Sequence, residues 1–240
     1  MRVALRPEWG LPHFVLSGLM AVLIVGSPLS GLHNSQITGL RPIAETSAAA
    51  PGAGAANTAL RANPPAPPFK LPARTFADRQ AAVRCLAEAV YFEAGFQPLE
   101  GQRAIAQVIL NRVRAKEFPK TVCGVVFEGA KRHTGCQFSF ACDGSIHRRP
   151  PTEDEMASAE QIARQALNGY VEPSVGTATH YHTVQVDPRW GAALVKTAQI
   201  GDHIFYRWPG KAGQPQALDG ERYAGDELKV AAAGPRIAVG

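Results

Sequence analysis

The 240-residue chain has no run of lysine and arginine, no C-x-x-C pair and no internal repeat. Its 25 basic and 20 acidic side chains leave a net charge of +5 with no cationic stripe, so nucleic acid is not an expected partner. The mild positive balance suits an anionic polymer in general and selects none. Four cysteines, Cys85, Cys123, Cys136 and Cys142, lack the paired-knuckle spacing of a structural zinc site. The missing repeat leaves one compact domain flanked by other kinds of sequence.

Charge is also absent from Phe14 to Leu29, FVLSGLMAVLIVGSPL, which follows Arg2 and Arg6. A span of this length lies between a signal-peptide core and a short transmembrane helix. No clean small-x-small cleavage site follows it, because Pro28 spoils the nearest one. Residues 1–30 are therefore expected to form an uncleaved signal anchor, positive end inside, rather than a removed signal peptide. The expected location is the periplasmic side of the cell envelope, anchored to the inner membrane. All four cysteines lie beyond this segment, where oxidising conditions favour disulfides. Three pairings exist. In the favoured one, Cys136–Cys142 closes a short loop and Cys85–Cys123 joins distant parts of the domain.

Residues 31–75 are rich in Ala, Pro, Gly, Ser and Asn and cannot bury enough apolar surface to offset their ordering entropy, which predicts a flexible tether. Residues 209–240 are again Gly/Ala/Pro-rich and are expected as a poorly ordered tail. One domain remains, residues 76–208. In it ADRQAAVRCLAEAVYFEAGF places Val83, Leu86, Ala87, Val90, Tyr91 and Ala94 at helical spacing, with Gly95 as a stop. EGQRAIAQVILNRVRA, after Pro98, predicts a second, largely buried helix. A third begins at Thr152, with Glu155 completing a capping box, and ends at Asn168-Gly169. TATHYHTV (177–184) and DHIFYRW (202–208) read as strands around the turn-forming DPRWG. The expected architecture is α+β, a mainly helical body with a small β-hairpin.

Glu93 lies about 20° from Leu86 on the helical wheel, at the edge of the apolar stripe, whereas Glu88 falls on the opposite, solvent side. Glu93 also occupies the last helical turn, where the dipole disfavours an anion. Partial desolvation and the dipole both push its pKa upward, the direction a general acid requires. A glutamate at a helix end is more often a solvated surface residue, so position alone does not assign it a role.

Four ordered blocks carry further information: LAEAVYFEAGFQPLEGQRAIAQVILNRV, FPKTVCGVVFEG, CQFSFACDG, and THYHT with IGDHIFYR. From Cys85 to about Arg207 the sequence resembles the cell-wall hydrolase family of the spore-cortex lytic enzyme type. The resemblance implies a lysozyme- or transglycosylase-like α+β domain, peptidoglycan as substrate, and Glu93 as the catalytic acid/base. Relatives usually continue Glu-Ala-Arg-Gly-Glu, whereas this chain reads Glu93-Ala94-Gly95-Phe96-Gln97. The second acid of that pattern is replaced by Gln97, and the arginine is missing.

Hydrolysis of a glycan generally uses two carboxylates. A lytic transglycosylase can use one glutamate twice, and the other acids near the blocks, Glu100, Glu128 and Asp143, show no evident pairing with Glu93. Single-acid transglycosylation is thus the expected route. Gln137, Phe138 and Ser139, in the loop that Cys136–Cys142 would constrain, are candidate substrate-binding residues, together with Tyr181 and His182. Phe140 and His203 read as structural, and Asn111 and Arg112 as anchors of the second helix. The rival enzyme is a zinc-dependent amidase with His180, His182 and His203 as ligands; the rival class is a non-catalytic peptidoglycan-binding domain. On the favoured reading no metal or cofactor is needed, and the partners are peptidoglycan and, through the N-terminal segment, the membrane.

Overall fold

A computed structural model describes residues 63–132, 135–219 and 223–235. Helix α1, Phe76–Ala94, starts at Thr75, whose side-chain oxygen accepts from the Asp78 amide, and stops at Gly95. Its run of small and branched residues, among them Ala82, Val83, Leu86, Ala89 and Val90, is buried nearly all round. Alanines let neighbouring backbones approach closely, and α1 accordingly sits among α2 (Leu99–Arg114), α3 (Val122–Val126), α5 (Glu153–Leu167) and α6 (Glu227–Ala233). The short α4 spans Ser145–Arg148. The expected capping box is present at α5, with Thr152 and Glu155 satisfying each other's backbone amides.

Three antiparallel strands, β1 (His180–Thr183), β2 (Val195–Ile200) and β3 (His203–Arg207), form a sheet in the order β1-β3-β2. The expected hairpin partners are thus β1 and β3, paired with Tyr181 opposite Phe205 and Thr183 opposite His203. β2 went unread because VKTAQI alternates weakly. It turns into β3 at Gly201, whose φ of +53° suits glycine, and an added Cβ would collide with the Gln97 side chain.

Three expectations need correction. Glu88 does not face solvent: it is partly buried, because α6, formed by residues read as a disordered tail, packs against that side of α1. The anchor of α6 is Glu227, fully buried, whose carboxylate accepts from the amides of Val122 and Cys123 at 2.6 and 2.8 Å and from the Tyr223 hydroxyl at 2.9 Å. That places a carboxylate at the amino end of α3, where unpaired amides need an acceptor. The third correction concerns the end of the presumed tether, where Ala66, Phe69 and Leu71 are buried and Lys70 bridges to Asn168.

Cys85 is bonded to Cys123 and Cys136 to Cys142, the favoured pairing. The apolar segment Phe14–Leu29 lies outside the described residues. Among the described residues no helix is long and apolar enough to cross a membrane.

Candidate active site

Glu93 projects from the last turn of α1 toward β1. It is partly buried, and the Tyr181 hydroxyl donates to its Oε2 at 2.8 Å. Burial is the main cause of a carboxyl pKa above the ordinary 4.5; the hydrogen bond from Tyr181 and the charge of Arg112 oppose the rise, and Asp143 adds to it. The direction matches the expectation from the helical wheel. The cause is chiefly desolvation.

Tyr181 is held by the α2 end that precedes it in space. Asn111 donates to the carbonyls of Gly176 and Ala178 at 2.9 and 2.8 Å, and Arg112 Nε donates to Thr179 at 2.7 Å. These bonds fix the segment leading into β1, and strand alternation then turns Tyr181 toward Glu93. Its ring packs on His203 and Phe205. Asn111 thus anchors as expected, while Arg112 does more: its guanidinium lies over the rings of Phe138 and Tyr181.

The same alternation separates the other candidates. His182 lies on the opposite face from Tyr181, stacked on Tyr206 and bonded to its hydroxyl at 2.9 Å. It does not join Glu93. His180 shares the His182 face and contacts Trp190 and Trp208, and burial lowers its pKa to about 4. His203 lies on the Tyr181 face, so the three imidazoles of the amidase reading cannot converge. Among the described residues no cluster of three His, Cys, Asp or Glu could hold a metal.

In the loop closed by Cys136–Cys142, Ser139 is exposed and Gln137 partly so, but Phe138 is only 2% exposed and packs near Phe140. Phe138 is a core residue under the loop, not part of a groove surface; Phe140 stacks on Phe92, in keeping with its structural reading. Asp143, read as unpaired, is close enough to act on Glu93. Its carboxylate accepts from the Ser145 amide at 2.7 Å and from the Ser145 hydroxyl, which hold its own pKa low. No sequence spacing signals this meeting of a helix end with a loop fifty residues on.

Gln97 points away from Glu93. Its side-chain oxygen accepts from the Asp202 amide and its nitrogen donates to the Asp202 carboxylate, each at 3.0 Å. An amide can do both, whereas a carboxylate at this position would face Asp202 with like charge. The Gln97 part of the departure from the family pattern therefore sits at the β2–β3 turn.

A family model described as cell wall hydrolase matches residues 96–206. Over 53% of its length the chain is 35% identical to the catalytic domain of the Bacillus cereus SleB protein, covering 91% of that domain with a TM-score of 0.44. The chain belongs to the cell-wall hydrolase family. The catalytic domain of the germination-specific lytic transglycosylase SleB from Bacillus anthracis is similar at 34% identity, with a TM-score of 0.44, 53% of this chain and 95% of that one being covered. Among curated relatives, the spore cortex-lytic enzyme of Bacillus subtilis is 36% identical over 51% of this chain and 36% of its own length. That of Oceanobacillus iheyensis is 35% identical over 52% of this chain and 41% of its own length. The chain therefore spans well under half of these relatives. The family match begins three residues after Glu93, so the role of Glu93 rests on its geometry and on the resemblance around it.

Proposed function

We propose that this domain of the cell-wall hydrolase family is a peptidoglycan lytic transglycosylase in which Glu93 is the single acid/base. The observation that carries the reading is the 2.8 Å hydrogen bond from Tyr181 to a partly buried Glu93 carboxyl. Tyr181 occupies Oε2 and fixes the rotamer, which leaves Oε1 for substrate. In its protonated form Glu93 gives its proton to the glycosidic oxygen as the bond from the anomeric carbon breaks. The carboxylate then takes the proton of the muramic C6 hydroxyl as that oxygen bonds to the anomeric carbon. A 1,6-anhydro ring results, the enzyme regains its proton, and no water is consumed. A partly desolvated glutamate that still accepts one strong hydrogen bond is suited to both steps.

Ser139 and Gln137, on the loop beside Glu93, are proposed to meet the glycan. The wall being extracytoplasmic, the two disulfides and the charge-free segment near the N-terminus support export and an envelope location, with residues 1–30 as the anchor. Asp143 favours a second reading, hydrolysis, because an ionised carboxylate near a protonated one is the usual pair for that chemistry.

Digestion of purified peptidoglycan followed by mass spectrometry decides between them. Anhydromuramic ends are expected; reducing ends would give the hydrolytic reading, and free stem peptides an amidase. Unchanged products and rate from Glu93→Gln would remove Glu93 from the chemistry.

A further inference from the structure

We infer that Arg112 is a positioning residue for Glu93, holding Tyr181 against the carboxyl and supplying the positive charge that lets one glutamate act first as acid and then as base. The inference rests on the transglycosylase reading and deepens it.

Arg112 is 4% exposed. Its Nε donates to the Thr179 carbonyl at 2.7 Å, and its guanidinium carbon lies 5.3, 5.5 and 5.8 Å from the ring centres of Phe118, Phe138 and Tyr181. Among the described residues its Nη1 has no hydrogen-bond partner and the guanidinium forms no salt bridge. Burying a cation without an ion pair is costly. As a mere anchor of α2 it would be a poor choice, because a neutral glutamine could make the same bond to Thr179. The charge therefore needs a use, and the groups it acts on are Tyr181, Glu93 and Glu128.

Among the described residues, the charged or titratable groups that act on Glu93 are Tyr181 from β1, Arg112 from α2 and Asp143 from the loop before α4. Burial and Asp143 favour the protonated carboxyl, whereas Tyr181 and Arg112 favour the carboxylate. Transglycosylation needs both forms in one turnover. Without the cation, Glu93 would stay protonated to higher pH and be a weaker acid toward the glycosidic oxygen, because the carboxylate left after the first transfer would lose its stabilising charge. Tyr181 reaches Glu93 only if its ring is held, and the Arg112–Thr179 bond with the guanidinium over that ring does the holding.

The test measures kcat against pH on purified peptidoglycan for the full chain carrying Arg112→Gln, Arg112→Met or Arg112→Lys, with melting curves for each. The neutral variants are expected to move the alkaline limb up by about one pH unit, as loss of a nearby opposite charge does, and to lower the maximal rate about tenfold. Arg112→Lys should return the limb toward that of the parent. Titration of the Glu93 carboxyl carbon by NMR should show the same displacement without reference to activity. Slower neutral variants with an unmoved limb and an unmoved Glu93 titration would overturn the inference, leaving Arg112 a structural residue. So would failure of both neutral variants to fold. A fully active Glu93→Gln protein would instead remove the transglycosylase reading itself, a result no Arg112 variant can mimic.

Discussion

Glu88 and Glu93 lie five residues apart on α1, both are partly buried, and burial pushes both carboxyls upward, Glu88 to about 7. Their surroundings differ. Glu88 lines a cavity of about 640 Å³ on another face of the helix, with Cys85, Phe127, Met156, Leu228 and Ala231 among its walls. Among the described residues its Oε2 has no hydrogen-bond partner, and only the charge of Arg84 opposes its desolvation. Glu93 is not among the residues lining that cavity, but has a hydroxyl aimed at one oxygen, a cation behind that hydroxyl and a second carboxylate nearby. By the cavity alone, Glu88 would be the acid. The contrast teaches that desolvation makes a carboxyl reluctant to ionise, and only directed donors turn that reluctance into a proton held ready for transfer.

The strongest way to break this contrast is to neutralise each glutamate in turn. Glu93→Gln should lower kcat by about 10³-fold or more, the scale of lost general acid–base catalysis, while Glu88→Gln should stay within about twofold of the parent near pH 6. A reversal of the two, in a turbidity assay on peptidoglycan, would move the active site to the cavity. In the parent, activity should decline as pH rises through the Glu93 value, which lies above the ordinary 4.5, because the first step needs the protonated form.

The disulfides sharpen the contrast in stability. Cys85–Cys123, on the cavity side, spans 38 residues, and replacing both cysteines by alanine should lower unfolding free energy by about 3 kcal/mol. The Cys136–Cys142 pair closes a six-residue separation, and its loss should register in affinity for glycan more than in denaturant midpoint.

Tyr181→Phe removes the one side-chain donor to Glu93 among the described residues and should slow kcat about 10- to 100-fold with a smaller change in KM, from the worth of a hydrogen bond to a charged group. An unchanged kcat would reduce the tyrosine to packing.

The smallest effect concerns Glu88 and pH. A folded-state value of about 7 against an ordinary 4.5 means that its contribution to stability is full below 4.5 and is lost as pH rises through 7. Glu88→Gln should therefore be near neutral at pH 4.5 and stabilise the fold by about 1–2 kcal/mol at pH 8, as read by urea denaturation. Equal midpoints for parent and variant at both pH values would show that Glu88 is solvated.

Helix α1, the capping box of α5 and the strands carrying Tyr181 and His203 were legible because each is written in local periodicity or local caps. The partnership of Tyr181 with Glu93 was only half legible: both residues could be named, but pairing across 88 positions depends on Asn111 and Arg112 pinning the chain before β1. His182 was misplaced through attention to the His-Tyr-His cluster rather than to strand alternation, which by itself separates it from Tyr181. Asp143 meets Glu93 only through tertiary folding, and Glu227 hides in an Ala/Gly-rich segment whose composition suggests no core.

That last carboxylate bears on where the domain can be cut. The family match stops at residue 206, and a protein trimmed there would keep the matched motifs. It would also be missing the acceptor for the first amides of α3 and the helix that shields one side of α1. Recombinant fragments should therefore run to Pro235, and a poorly soluble shorter fragment would testify to a mislaid boundary, not to a defective enzyme.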